Sequence, residues 1–230
     1  DKLTETNKNL LAKIDNIKDF IADNESLLSD QKLSGKKLAL ISFNEKANVD
    51  SVKNALTKAG ASIELDIQIK DEVLNTTNLE KINTKLSQKF TKKEEVISYI
   101  ANAIKNSSDT SSLASLEELG LIKVRANNGT YDTVNAILVF NGSTSSGKTK
   151  FPSLIKPILD QIKEDKYTVA IATSGENVGL KEFSKIKVSS IDNIDEAVGR
   201  VSLIDLLASS NIIGSFGNSL EGDKLLPVGK

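Results

Sequence analysis

The chain contains no histidine, no cysteine and no methionine. Without cysteine it forms no disulfide, so it suits either redox compartment, and thiol catalysis is excluded. Without histidine no Ser–His–Asp triad can be assembled. Lacking all three, the chain has none of the soft or borderline side chains from which zinc, copper and iron sites are usually built. Oxygen-only Mg²⁺ or Ca²⁺ sites stay open, but no EF-hand spacing occurs. The missing methionine also leaves no initiator residue, which points to a processed or trimmed chain. No apolar run reaches the roughly 18 residues a membrane helix needs, and a removed signal or anchor would leave no trace. An excess of cations is absent too. Lys+Arg number 30 against 31 Asp+Glu, a formal charge of -1, so the counterion release behind non-specific nucleic-acid binding is not available overall. No nucleic-acid partner is expected.

What is present is an ordinary globular composition. The 230 residues are 39% hydrophobic and 27% charged, enough for one well-buried domain with an appendage. Residues 1–33 form the appendage. Their apolar positions recur at alternating gaps of four and three, giving a seam of Leu3, Asn7, Leu10, Ile14, Ile17, Ile21, Asn24 and Leu28. These are the a and d positions of about four heptads. Ile14 and Ile21 at a-type positions lean toward two strands, and Asn7 can fix register by pairing with its mate, so a homodimer is expected. An amphipathic helix packed on its own domain is the alternative reading. Ser34 and Gly35 break the helix and mark the boundary.

From Lys37 the period changes. The almost continuously apolar run Leu38–Phe43 suits a strand buried on both faces. Asn48 can cap a helix from Val49 to Ala59, Gly60 ends it, and Ile63–Ile69 alternates as a second strand. A polar helical excursion follows, at about 79–90, 93–105 and 113–119. Then come a strand (136–141), a helix (153–164), a strand (168–173), a short strand (188–191) and a last helix. Asn193 with Glu196 three residues on reads as the capping box of that helix, with Ala197, Val201, Ile204 and Ala208 on its apolar face. Strands alternating with helices imply an α/β domain over 35–213 followed by a tail, 214–230. Its sheet is expected to be parallel, five-stranded and flavodoxin-like, with helices on both faces and strand order second-first-third-fourth-fifth. In such sheets ligands sit beyond the carboxyl ends of the strands where the order reverses. That crevice would be lined by Asn44, Glu45, Asn141, Gly142, Ser143 and Thr144.

One motif suggests chemistry. Gly142-Ser-Thr-Ser-Ser-Gly147-Lys148-Thr149 matches the P-loop pattern, after a strand and before a helix. Backbone N–H groups would cradle phosphates, Lys148 would neutralise them and Thr149 would hold Mg²⁺. Three features oppose this. Residues 168–174 carry no carboxylate to complete a metal site. Pro152 falls just past Thr149, near the end of the first turn of any helix starting at Gly147. About eighty residues follow the motif, too few for the rest of a nucleotide-switch sheet. Asp192 and Asp195 could pair as catalytic carboxylates, but charge at a helix N-terminus accounts for them better. No enzyme activity and no cofactor are expected.

The C-terminal residues are more specific. Val188-Ser-Ser-Ile-Asp192-Asn193-Ile-Asp195, then Gly199-Arg200-Val201, Gly214-Ser215-Phe216-Gly217 and Leu225-Leu226-Pro227 resemble the tail of the MctB-type family. That family comprises copper transport proteins and SteB-like cell-separation factors. Gly35–Phe43, Ala59-Gly60-Ala61 and Glu118-Leu119-Gly120-Leu121 fit the same pattern, as does a coiled coil preceding an α/β domain. The resemblance implies one transmembrane helix upstream of the coiled coil, and therefore an extracytoplasmic, membrane-tethered segment. It implies either copper handling or an interaction with an envelope protein or cell-wall polymer. Where the family commonly shows His and Tyr, this chain has Ser215 and Phe216, and with no His, Cys or Met its own copper ligands are hard to find.

Overall fold

The computed structural model describes residues 1–43, 49–140, 150–174 and 180–217. Two central strands set the architecture. In β1 (Lys37–Ser42) and β4 (Ala136–Phe140) nearly every residue is buried, because successive side chains go to opposite faces and both faces are covered. Leu38 and Leu40 join Leu138 and Phe140 in one apolar layer. Ala39 and Ile41 join Ile137 and Val139 in the other. The first layer is closed by Val52 and Leu56 of the helix Asp50–Lys58 and by Leu203 and Leu207 of the helix Ala197–Ser209. The second is closed by Ile97, Ile100 and Ile104 of the helix Lys93–Lys105 and by Ile158 and Leu159 of the helix Lys156–Ile162. Each fully buried Leu or Ile contributes about 1.5–3 kcal/mol, so these two layers hold the domain together.

Among the described residues the sheet has seven strands, not the five expected. Its order is β3-β2-β1-β4-β5-β6-β7, with β2 at Ser62–Ile69, β3 at Ile122–Asn127, β5 at Tyr167–Ile171, β6 at Ser189–Ile191 and β7 at Ser215–Phe216. The five anticipated strands run parallel in the middle, β2-β1-β4-β5-β6. Flanking them are β3, antiparallel to β2, and the two-residue β7, parallel to β6. β3 follows Gly120, whose φ of +73 is the left-handed value of a helix stop. The chain therefore leaves the polar excursion as a strand along the sheet edge.

Three helices differ from expectation. The expected helix over 153–164 opens instead as a wide π-type turn, Phe151–Ile155, before the regular helix Lys156–Ile162. Pro157 brings no N–H to continue the ordinary ladder, and the wider turn accommodates it. The last helix starts at Ala197 and not beside Asn193, and no side-chain cap bond closes its first turn. The N-terminal helix runs from Lys2 to Asp23, capped by Asp1 Oδ1 on the Leu3 N–H at 3.1 Å, and stops well before Ser34. At Asn24 the side-chain Nδ2 donates to the Phe20 carbonyl at 2.8 Å, competing with the backbone ladder. Asn24 leaves the helical region at φ -108 and ψ 8, and a short second helix, Glu25–Ser29, turns onto the domain. Leu33 follows and is fully buried in the layer around Leu38 and Leu40.

Candidate functional site

The crevice residues Asn44, Glu45, Asn141, Gly142, Ser143 and Thr144 lie outside the described residues, as do Gly147, Lys148, Thr149 and the expected cap Asn48. What stands beside that edge of the sheet is a buried cation. Lys150 has a side chain only 4% exposed, and its Nζ meets Asp71 Oδ1 at 2.5 Å and donates to the Phe43 carbonyl at 3.2 Å. One lysine thus ties the ends of β1 and β2 to the chain returning from β4. Its charge is matched by Asp71, which makes it an anchor for that edge.

The sequence motif Asp192, Asn193, Asp195, Gly199 and Arg200 comes together at the neighbouring end of β6. Asp192 and Asn193 are buried, and the Asp192 N–H donates to the Phe216 carbonyl, which seats β7. Asp195 Oδ1 does not cap the following helix. It accepts from the Ser174 N–H at 2.7 Å and from the Ser174 hydroxyl at 3.0 Å. Asn193 instead closes a turn with the Glu196 N–H, and its Nδ2 donates to Glu196 Oε2 at 3.3 Å. This turn delays the helix to Ala197. Gly199 is required by proximity: a Cβ there would stand 1.9 Å from the Asn193 carbonyl oxygen. Gly217, at φ +127, likewise leaves room for the Asp192 carboxylate.

Arg200 connects this knot to the N-terminal segment. Its Nη1 donates to the Ile194 and Asp195 carbonyls at 3.2 and 2.9 Å, while Nε and Nη2 bind the two carboxylate oxygens of Glu25. The bonds to Glu25 raise the guanidinium pKa further, so the charge is permanent. Lys18 with Glu196 at 3.3 Å and Lys32 with Asp205 at 2.5 Å lie on either side. Residues 18, 25 and 32, seven apart, therefore all pair with the last helix or its entry. The interaction was not visible in sequence, where Glu25 was one charge among many on a polar face.

Above this ladder the N-terminal helix stands clear. No residue of Lys2–Asp23 is buried. Leu3, Leu10, Ile14 and Ile17 of the seam are 66%, 51%, 48% and 60% exposed. Ile21 is half-buried where the helix approaches the domain. The last two seam positions lie past the helix end: Asn24 is the break, and Leu28 sits half-buried in the second helix.

A family profile described as copper transport outer membrane protein, MctB, matches residues 1–227. The chain belongs to the MctB family. No curated protein matches it. The MctB description names copper as cargo, and the donor set of this chain does not fit it. The whole chain has no imidazole, thiolate or thioether, and no group of three or more carboxylates gathers among the described residues. Cu(I) and Cu(II) both favour the donors that are missing. Among the described residues, no helix is long and apolar enough to cross a membrane.

Proposed function

We propose that this MctB-family chain is a non-enzymatic, extracytoplasmic interaction module that dimerises through its N-terminal helix and presents its α/β domain to an envelope partner. A membrane anchor upstream of Asp1 would tether it. The observation that carries the reading is the unburied helix Lys2–Asp23 with its row of exposed large apolar side chains. Most helical stability in a protein comes from packing an apolar face, and this helix buries none of its residues on its own domain. A second copy supplies such a face, because a heptad seam is complementary to itself. Leu11 and Phe20, also exposed, flank the seam and widen the surface to be covered.

Two linked copies would also present two domains on one stalk, so modest single-site affinity for a polymeric partner becomes useful avidity. The ion-pair ladder at Lys18, Glu25 and Lys32 supports the same reading, since it holds the stalk at a defined angle to the domain. Sedimentation of the whole chain tests the proposal. Copper transport is the second reading, favoured by the family description, and copper retention by the purified chain tests it.

A further inference from the structure

We infer that the cleft where the N-terminal segment meets the domain binds an uncharged glycan unit bearing hydroxyl and acetamido groups. The cleft, about 450 Å³, is walled by the short helix Glu25–Ser29, the helix Asp50–Lys58 and the helix Ala197–Ser209. Its volume falls in the range of about 300–1,000 Å³ usual for small-ligand sites.

Charge decides the class of ligand first. Glu25 and Asp30 on one side are balanced by Arg200 and Lys58 on the other, and Glu25 with Arg200 is already a closed pair. An ionic ligand would therefore find no net field and would have to break a two-point ion pair. A neutral ligand meets no such cost.

Polar capacity decides next. Ser29 is 6% exposed, and its hydroxyl is buried in the cleft wall with no hydrogen-bond partner. A buried hydroxyl left unmade costs about 1–3 kcal/mol, and a ligand oxygen or amide reaching it would remove that cost. Ser51 and Asn54, exposed on the facing helix, add a hydroxyl and a carboxamide. Between them Ala55 and Ile204 give an apolar floor. An apolar floor rimmed by hydroxyl and amide groups complements a sugar ring, whose C–H face is apolar and whose edge is polar. A peptide fits less well. All three walls are helices, so no strand edge is offered for main-chain pairing.

The site spans the hinge, so an occupied cleft also fixes the stalk against the domain. Titration of the full chain with di-N-acetylchitobiose, followed by amide NMR shifts and calorimetry, tests the inference. Glucose 6-phosphate and a neutral alanine tetrapeptide serve as competing chemistries. Saturable binding is expected, with shifts clustered at 25–30, 51–58 and 200–204. Ser29→Ala and Asn54→Ala should each weaken it about fivefold, the effect of one lost neutral hydrogen bond, with thermal unfolding nearly unchanged. Absence of saturation at tens of millimolar overturns the inference. So does binding indifferent to both substitutions, or tighter binding of the phosphate or the peptide in the same cleft.

Discussion

Arg200 holds Glu25 through two parallel bonds, Nε to Oε1 at 2.6 Å and Nη2 to Oε2 at 2.9 Å. The two residues are 175 positions apart, and both side chains are about one-fifth exposed. The remaining edge of the guanidinium is spent on the carbonyls of Ile194 and Asp195. A planar fork is needed for this, since a lysine can serve one of these directions but not both. The family-motif arginine therefore fixes the hinge of the stalk to the turn that starts the last helix.

Replacing Arg200 with alanine should lower stability by about 2 kcal/mol, the scale of hydrogen bonds to charged groups at a partly exposed site. Arg200→Lys should recover less than half of this. Urea unfolding curves for the three proteins measure it, with the midpoint shifting and the slope unchanged. Equal stability of the lysine variant and the unmodified chain contradicts the fork.

Gly199→Ala should cost about 3 kcal/mol, because the new methyl overlaps the Asn193 carbonyl and the turn beneath it must move. Gly120→Ala is the control. Nothing stands within 4 Å of a Cβ there, but φ is +73, so only backbone strain of about 1–2 kcal/mol is added. Thermal unfolding of both variants separates collision from strain. Gly199→Ala no worse than Gly120→Ala would mean that the helix start is looser than described.

The central strands were legible because burial on both faces leaves continuous apolar runs, as in Leu38–Phe43 and Ala136–Phe140. Their order followed from the long excursion after β2. β3 was passed over although Ile122-Lys-Val-Arg-Ala-Asn127 alternates, because it follows three helices and lies half-exposed at the edge. The break at Asn24 was hidden for a different reason. The apolar period continues through Asn24 and Leu28, while the turn is decided by contacts with Arg200 and by burial of Leu33. In the same way Asn193 and Glu196 match a capping box, yet tertiary bonds to Ser174 and Arg200 take the turn first. The crevice residues were chosen from strand order alone, and they lie outside the described residues.

Stability should fall above about pH 10, the ordinary tyrosine pKa. Tyr131 is buried, its hydroxyl donates to the Ile162 carbonyl, and burial followed by the charges of Asp165 and Asp132 raises its pKa. Below pH 10 the phenol is neutral folded or unfolded. Above it the unfolded chain ionises first, so the stability this group supplies is lost as pH rises toward the folded value. Tyr131→Phe should cost about 1 kcal/mol at pH 7 and flatten the decline between pH 10 and 11. Denaturant unfolding across that range reads it, and an unchanged slope in the variant contradicts the assignment.

Equilibrium dialysis against Cu(I) and Cu(II), each beside a competing chelator, should leave no stoichiometric metal on the chain. The side-chain donors available are oxygens and lysine amines, a poor set for either ion. Retention of one copper per chain at sub-micromolar affinity would favour the transport reading over the interaction module.

The most direct test of the account is the mass of the whole chain in solution, by sedimentation equilibrium at tens of micromolar. A dimer of the 24.8 kDa chain is predicted, tightened or shifted toward trimer by Asn7→Ile, which removes a polar seam position that trades stability for register. A monomer at that concentration, unaltered by Asn7→Ile, contradicts the proposal that the exposed N-terminal helix exists to bring two copies together.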